Sequence, residues 1–203
     1  MAAKRRAEQV EETRARLIQA ARAAFSGKGY AAASMDELTA SAGLTRGALY
    51  HNFGDKKGLL QAVIDQIDGE ILTRMREAGG REATLWDAFI TEALTYIEMS
   101  LEPEVQRIML LDGPAVLGDP SQWPNQTACL RTTADTLEAL IAQGTVREVD
   151  AEAAARLVNG AALNAALWIA ASDAPHEVLP RAISAFKVLM SGLRVQRDDS
   201  AAS

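Results

Sequence analysis

Length, composition and charge are those of an ordinary globular chain of one or two domains. The 203 residues are 48% hydrophobic and 24% charged, with a net charge of −6, so they can bury a sizeable core. The single cysteine, Cys129, excludes an intrachain disulfide and fits a reducing cytoplasm. The charged start lacks the apolar segment of a secretion signal, and no uncharged apolar run reaches the ~18 residues of a membrane span.

The first predicted element is a helix over residues 8–26. Apolar residues recur there at helical spacing, and Gly27 and Gly29 are expected to end it. The basic residues at 4–6 form an arm ahead of this helix, for which a disordered tail and a contact with the DNA backbone are equally open. Alanine is abundant and β-branched runs are scarce, so the sequence favours an all-α fold.

A helix-turn-helix is predicted over residues 34–57. Ser34 and Glu37 have the spacing of a capping box, in which each side chain bonds the backbone N–H of the other residue. Gly43 ends this short helix because glycine readily takes the left-handed conformation of a tight turn. Thr45 can then cap a second helix. The second helix of such a unit is the one that enters the major groove of DNA.

The second helix of this unit is predicted to expose one polar side. Leu49 should pack inward, and the residues on the opposite side are Arg46, Gly47, Tyr50 and His51. Arg46 can reach a guanine edge or a phosphate, whereas Tyr50 and His51 suit phosphate oxygens. Gly47 costs about 1 kcal/mol against alanine in a helix, which makes sense where a backbone must approach something closely. The alternative is an ordinary helical hairpin with a solvated face.

Residues 13–60 resemble the DNA-binding domain of the tetracycline-repressor (TetR) family of bacterial transcription regulators. The resemblance is carried by AAxxxFxxxGY, SMDELTASAGL, GALYHNF and the F-x-x-K-x-x-L spacing from Phe53 to Leu59. It implies that bases or phosphates are contacted by Arg46, Gly47, Tyr50 and His51. It also implies that the DNA backbone is held by Ser34, Thr45 and Lys56.

The distribution of charge agrees with a nucleic-acid partner despite the negative total. Residues 1–60 carry 10 Lys and Arg against 6 Asp and Glu, whereas residues 61–203 carry 11 against 21. The positive charge therefore lies with the helix-turn-helix, where phosphates would need to be neutralised.

The domain boundary is predicted inside a long fourth helix. Asp55 can cap it, an apolar face runs to about residue 78, and Gly79 and Gly80 break it. We therefore expect an all-α protein with an N-terminal three-helix helix-turn-helix DNA-binding domain, 1–57, and a linking helix, 55–78. A C-terminal helical ligand-binding and dimerisation bundle, 79–196, and a disordered polar tail, 197–203, should follow.

The second half is predicted to be a bundle of helices. The predicted helices are one capped by Thr84, one from Pro103 to Leu111, one from about Trp123 to Gly144, one over 151–171 capped by Asp150, and one over 176–194. The stretch DGPAVLGDP, residues 112–120, holds two glycines and two prolines and is not expected to be helical throughout. Pro180 is expected to delay or kink the last helix.

Family resemblance implies that this second domain binds a small effector and dimerises through its last two helices. The candidates for lining an effector cavity are Trp86, Phe89, Tyr96, Met99, Met109, Asp112, Trp123, Asn164 and Trp168. Aromatic and methionine side chains at helical spacing are more often plain core. Asp112 would either orient a ligand or cap a turn, and a buried Asn164 would need a partner. The helix at 151–171 is too apolar to face water, which predicts a homodimer through 151–171 and 176–194.

Catalysis and cofactors are not expected. His51 and His176 lie in different predicted domains, neither has metal-ligand spacing to other ligands, and no nucleophile or phosphate-loop motif occurs. The sequence therefore predicts a cytoplasmic ligand-responsive regulator, usually a repressor, that binds double-stranded DNA at a palindromic operator. The alternative is a helical small-molecule-binding or scaffold protein without a DNA role.

Overall fold

Residues 2–195 are described by a computed structural model, and they fold almost entirely into helices. The α-helices are α1 (Ala2–Ala32), α2 (Met35–Ser41), α3 (Arg46–Phe53), α4 (Lys56–Gly79), α5 (Leu85–Met99), α6 (Gly113–Leu117), α7 (Pro124–Ala142), α8 (Ala151–Ala170) and α9 (Pro175–Ser191). A π-helix spans Val105–Asp112, and a 3₁₀ turn spans Pro120–Gln122. The all-α prediction is confirmed. The predicted tail at 197–203 lies outside the described residues.

The chain divides into two compact units, and the division falls inside α4. Unit 1 comprises the described residues up to Glu70 together with Glu102–Pro120, and unit 2 comprises Ile71–Leu101 with the described residues from Ser121 onwards. The long fourth helix does contain the boundary, as predicted. Residues 102–120, however, pack with the helix-turn-helix rather than with the bundle to which the sequence had assigned them.

Helix α1 is longer at both ends than the sequence indicated. It begins at Ala2, so the basic arm continues the helix, and it passes through Gly27 unbroken. The break falls at Gly29, whose φ of 82° is left-handed. A Cβ atom at Gly29 would lie 2.1 Å from the guanidinium of Arg107. A glycine ends a helix only where the backbone leaves the helical region, and Gly29 rather than Gly27 does so.

Two arginines of α1 fasten the helices of the helix-turn-helix. Arg16 donates to the carbonyl of Ala42 at the end of α2, at 2.5 Å. Arg14 donates to the carbonyl of Asn52 in α3 at 2.8 Å, and its guanidinium lies 4.6 Å from the centroid of the Phe53 ring. These donors satisfy carbonyls that have no partner within their own helices or lie near a helix end. Beneath them is a closed apolar core of Leu17, Phe25, Leu38, Leu49, Leu59, Leu60 and Ile64.

The segment 102–120 differs from its prediction because its helix changes register instead of ending. The π-helix leads directly into α6, so residues 113–117 are helical although a loop was expected. The N–H of Gly113 bonds the carbonyl of Ile108, five residues back. Pro114 lies in the first turn of α6, where a missing N–H is tolerated. Gly118, with a φ of 88°, ends α6.

Polar contacts hold this segment on α1. Arg22 forms ion pairs with Glu70 at 2.6 Å and Glu104 at 2.7 Å. The backbone N–H of Tyr30 donates to Asp112 Oδ2 at 2.7 Å. Asp112 thus satisfies the first N–H after the break at Gly29, a capping contact across about eighty residues of sequence.

Unit 2 is a helical bundle built on α5, α7, α8 and α9. Its buried cluster includes Trp86, Phe89, Ile97, Leu137, Leu140, Ala155, Ile169, Phe186 and Met190. Caps at Thr84 and Asp150 start α5 and α8 as predicted, and Pro175 starts α9, so Pro180 lies inside the helix without delaying it. Helix α8 is long and apolar enough to meet the criterion for a membrane span; a single such helix is weak support for one, because core helices also meet it.

Candidate functional site

The turn between α2 and α3 is built by two local caps. Glu37 N–H donates to Ser34 Oγ at 3.2 Å, and Ser34 N–H donates to Glu37 Oε2 at 3.1 Å, so the predicted capping box is present. Lys28 also contacts Glu37 at 2.6 Å. The hydrogen bond from Lys28, followed by those from Ser34, lowers the pKa of Glu37 to about 2. Gly43 makes the turn with a φ of 61°.

Helix α3 begins at the predicted cap and presents the predicted face. Ala48 N–H donates to Thr45 Oγ1 at 3.2 Å. Leu49 is fully buried on the inner side. The exposed residues on the other side are Arg46, Gly47, Tyr50 and His51. The structure therefore brings these four predicted contact residues onto one surface, which we call the recognition face.

Arg46 has a partner that the sequence analysis did not identify. Its Nε and Nη2 donate to the two carboxylate oxygens of Asp36, in the first turn of α2. The hydrogen bond from Arg46 lowers the pKa of Asp36, and the same bond raises the pKa of Arg46. The ten-residue separation of the two side chains spans a turn, so helical spacing alone gave no signal of the pair.

Lys56 is less available than the other six predicted DNA contacts. Its side chain is half-buried, and its ammonium lies 4.2 Å from the centroid of the Tyr30 ring. Burial lowers the pKa of Lys56, while Asp112 raises it and Lys28 lowers it further. Ser34 and Thr45 accept cap hydrogen bonds and keep their hydroxyl hydrogens for donation to another acceptor.

The nine predicted effector residues are distributed over both units. Met109 and Asp112 belong to unit 1, whereas the other seven belong to unit 2. Within unit 2, Trp86 and Phe89 pack edge to face at 6.3 Å inside the core. Met99 and Trp123 are buried and Tyr96 is half-buried against the core, while Asn164 and Trp168 are exposed on α8. Within the single chain Asn164 is exposed, so its burial by a ligand or a second subunit stays a prediction.

A groove of mixed polar and apolar lining on unit 2 contains none of the nine. It has a volume of about 160 Å³ and is lined by Ser121, Gln122, Gln126, Leu130, Arg156, Asn159, Gly160 and Leu163. The amide oxygen of Asn159 accepts from Thr133 at 3.1 Å, and its nitrogen lies 3.8 Å from Cys129 Sγ. The available sequence signal was Asn159 itself, an amide within an otherwise apolar helix.

The three-helix unit with an exposed recognition face defines a helix-turn-helix regulator of the kind that carries a separate helical domain. Residues 17–63 match the family described as bacterial regulatory proteins, tetR family, and residues 86–193 match the tetracyclin repressor-like C-terminal domain. The chain belongs to the TetR family. The second match covers the C-terminal domain, whose role had been inferred only from the resemblance of the N-terminal domain.

Individual relatives agree with this assignment. The chain is 45% identical to a TetR-family transcriptional regulator from Pectobacterium atrosepticum, with a TM-score of 0.85, over 93% of this chain and 97% of that one. It is 29% identical to the HTH-type transcriptional regulator UidR of Escherichia coli K12 over 66% of this chain and 65% of UidR. It is 41% identical to TtgR of Pseudomonas putida over 32% of this chain and 30% of TtgR. The matched regions thus span less than two thirds of these two curated relatives.

Proposed function

We propose that this chain is a ligand-responsive transcriptional repressor that binds a palindromic operator as a homodimer in the bacterial cytoplasm. The recognition face is the observation that carries the proposal. It presents a cation, a phenol and an imidazole around a glycine at the start of an N-capped helix, which suits phosphate and base-edge contacts. Two such helices would read half-sites about 34–36 Å apart. This function requires neither a catalytic step nor a cofactor.

The exposed side of α8 and α9 supports the homodimer. Leu157 is 75% exposed, Val188 69%, Leu189 65% and Trp168 45%. Covering such side chains contributes on the order of 25 cal/mol for each Å² of apolar surface removed from water, and the same face of a second copy would cover them. Gly160 has open space around it, so another helix could approach closely there.

Two alanines of α8 beside Gly160 also pack within their own unit. Ala161 and Ala165 are half-buried against the core of unit 2. A charge at Ala161 would therefore disturb folding as well as pairing. Leu157 and Val188 are the appropriate sites for testing the dimer.

The groove on unit 2 supports a small effector that is partly apolar and carries hydrogen-bonding groups. Its lining supplies the amides of Gln122, Gln126 and Asn159 and the guanidinium of Arg156. Ser121 and Gln122 follow directly on Pro120, the end of the segment that packs on α1. We infer that a ligand held by these residues displaces segment 102–120. The ligand would thereby favour a conformation in which α4 moves the two DNA-binding units off the operator spacing. Such coupling typically amounts to about 1–3 kcal/mol.

A salt-dependent mobility-shift titration tests the central proposal. The protein is titrated on the DNA upstream of its own gene and on a scrambled fragment of the same length and composition. A repressor should form a discrete complex with the upstream fragment, with log K falling linearly in log salt. Equal binding to both fragments, or no binding, would refute operator recognition and leave the scaffold function.

A further inference from the structure

The ion pair between Asp36 and Arg46 joins the two helices of the helix-turn-helix on their exposed side. Asp36 lies in the first turn of α2, and Arg46 is the first residue of α3. Their side chains are 69% and 58% exposed. An ion pair at such exposure contributes little to folding stability, because water screens both charges. The ion pair should therefore matter mainly through the N–H groups of Arg46 that it leaves available for DNA.

The pairing leaves one particular edge of the guanidinium available. A guanidinium has five N–H groups, and Asp36 takes those of Nε and one of Nη2 from the side. The remaining hydrogens include the parallel N–H groups of Nη1 and Nη2, which point along the end of the side chain. Two parallel N–H groups are what the O6 and N7 acceptors of guanine require in the major groove.

The carboxylate also changes the energetics of binding. A free arginine loses side-chain entropy when it is fixed against a base. Asp36 imposes part of that order before DNA arrives. Its negative charge at the same time repels phosphates and offsets the attraction of Arg46 for any backbone. Both effects favour base readout over unspecific backbone binding.

We propose that Asp36 is a specificity-determining positioning residue that holds Arg46 end-on toward a guanine in each half-site. The inference rests on the proposed operator binding. It assigns base discrimination to the pair rather than to Arg46 alone. Net charge alone would make Asp36, an acid on a DNA-binding surface, unfavourable for binding. The proposal instead gives it the function of positioning Arg46.

Substitution of Asp36 by asparagine separates orientation from bulk charge. Asp36→Asn keeps the size and one acceptor oxygen but loses the charge and the second acceptor. Glu11→Gln is the matched control, because Glu11 is an exposed acid of α1 in the same unit. Binding-site selection and titrations on the selected operator and on scrambled DNA are made for both variants, for Arg46→Ala and for the double variant. Circular dichroism verifies that α2 is intact.

We expect Asp36→Asn to lower the ratio of operator to scrambled affinity by about ten-fold and to relax one guanine position per half-site. Glu11→Gln should leave the ratio and the consensus unchanged. In the Arg46→Ala background, Asp36→Asn should have no further effect on either quantity, because a positioning residue acts only through its partner.

Three outcomes would overturn the inference. An unchanged consensus with equally raised affinity for both DNAs would make Asp36 only a repulsive charge. A relaxed position that persists in the Arg46→Ala background would make Asp36 a direct base contact. Wild-type protein that selects no sequence would remove the proposed function together with this inference, whereas the first two outcomes leave operator binding intact.

Discussion

Helices α3 and α8 each expose one long side, and the two sides have opposite chemistry. The exposed residues of α3 are Arg46, Gly47, Tyr50 and His51, whereas the exposed residues of α8 include Leu157, Gly160 and Trp168, with Asn164 as the one amide among them. A side that can donate many hydrogen bonds suits a polyanion, while an apolar side gains most from an equally apolar partner. The exposed side chains of a helix, rather than its secondary structure, thus indicate the kind of molecule that it binds. In the proposed repressor the two contacts depend on each other, since pairing through α8 brings two copies of α3 to one operator.

The apolar side should have the largest effect on DNA binding. The double substitution of Leu157→Glu and Val188→Glu places like charges on both sides of the proposed dimer and should yield monomers. Loss of the second half-site should weaken operator binding by at least ~100-fold, since linked sites typically gain 10²–10⁴. Sedimentation velocity and operator titration measure the two effects. Val149→Glu, at an exposed valine outside α8 and α9, is the control; an unaltered dimer in the double variant would refute this interface.

Arg46→Ala should have the next largest effect, a loss of about 1–3 kcal/mol on the operator. If Arg46 reads a base, preference should relax at one position of each half-site. If it contacts only a phosphate, the loss should be equal on all sequences. Site selection on wild type and variant distinguishes these, and we expect the relaxed preference; identical consensus sequences would exclude the base contact.

Gly47→Ala should change folding and DNA binding in opposite directions. The added methyl group would meet only Thr45 Oγ1, at an ordinary 3.7 Å, and alanine should stabilise α3 by about 1 kcal/mol. If the backbone approaches DNA closely at Gly47, operator affinity should fall by about 1–3 kcal/mol, as for a methyl group forced into a packed contact. Thermal unfolding and DNA titration measure the pair of effects. Gly27→Ala, in open space on α1, should stabilise without weakening binding.

Lys56→Ala and Tyr50→Phe should give the smallest losses, similar on every DNA sequence. Lys56→Ala should reduce the magnitude of the slope of log K against log salt by roughly 1–2 units per dimer, whereas Tyr50→Phe removes no charge and should leave the slope unchanged. The Lys56 ammonium lies over the Tyr30 ring, so Lys56 could serve packing rather than phosphate binding, and the salt slope distinguishes the two roles. An unchanged slope with lowered thermal stability would assign Lys56 to packing instead of phosphate binding.

Features set by neighbouring residues could be predicted from the sequence, and those set by distant contacts could not. The caps at Ser34, Thr45 and Asp150 and the turn at Gly43 depend on residues three or four apart, and all were predicted correctly. The exposed side of α3 followed from helical periodicity. That residues 102–120 pack on α1 depends on contacts some eighty residues apart, such as Tyr30 with Asp112, which no local pattern encodes.

The candidate ligand site shows the same limit. Large aromatic residues were predicted as its lining because they fit both cores and cavities, and Trp86 and Phe89 turned out to be core. The groove on unit 2 is lined by leucine, glycine and polar residues that are unremarkable in sequence. Whether an amide such as Asn159 faces a groove depends on how α7 packs against α8, which composition does not determine.

The π-helix at Val105–Asp112 makes the packing of segment 102–120 on α1 respond differently to a change in chain length and to a change in residue type. Its final bond reaches five residues back, whereas an α-helix reaches four. Deleting one residue between 105 and 111 would let the segment close as an ordinary α-helix. The charged residues outside the segment that form ion pairs would be kept. An α-helix turns further per residue than a π-helix, so closing as an α-helix would largely offset the lost residue and keep the Asp112 carboxylate near the Tyr30 N–H. A single deletion in this segment should therefore be tolerated, whereas a substitution of Asp112 removes the contact itself.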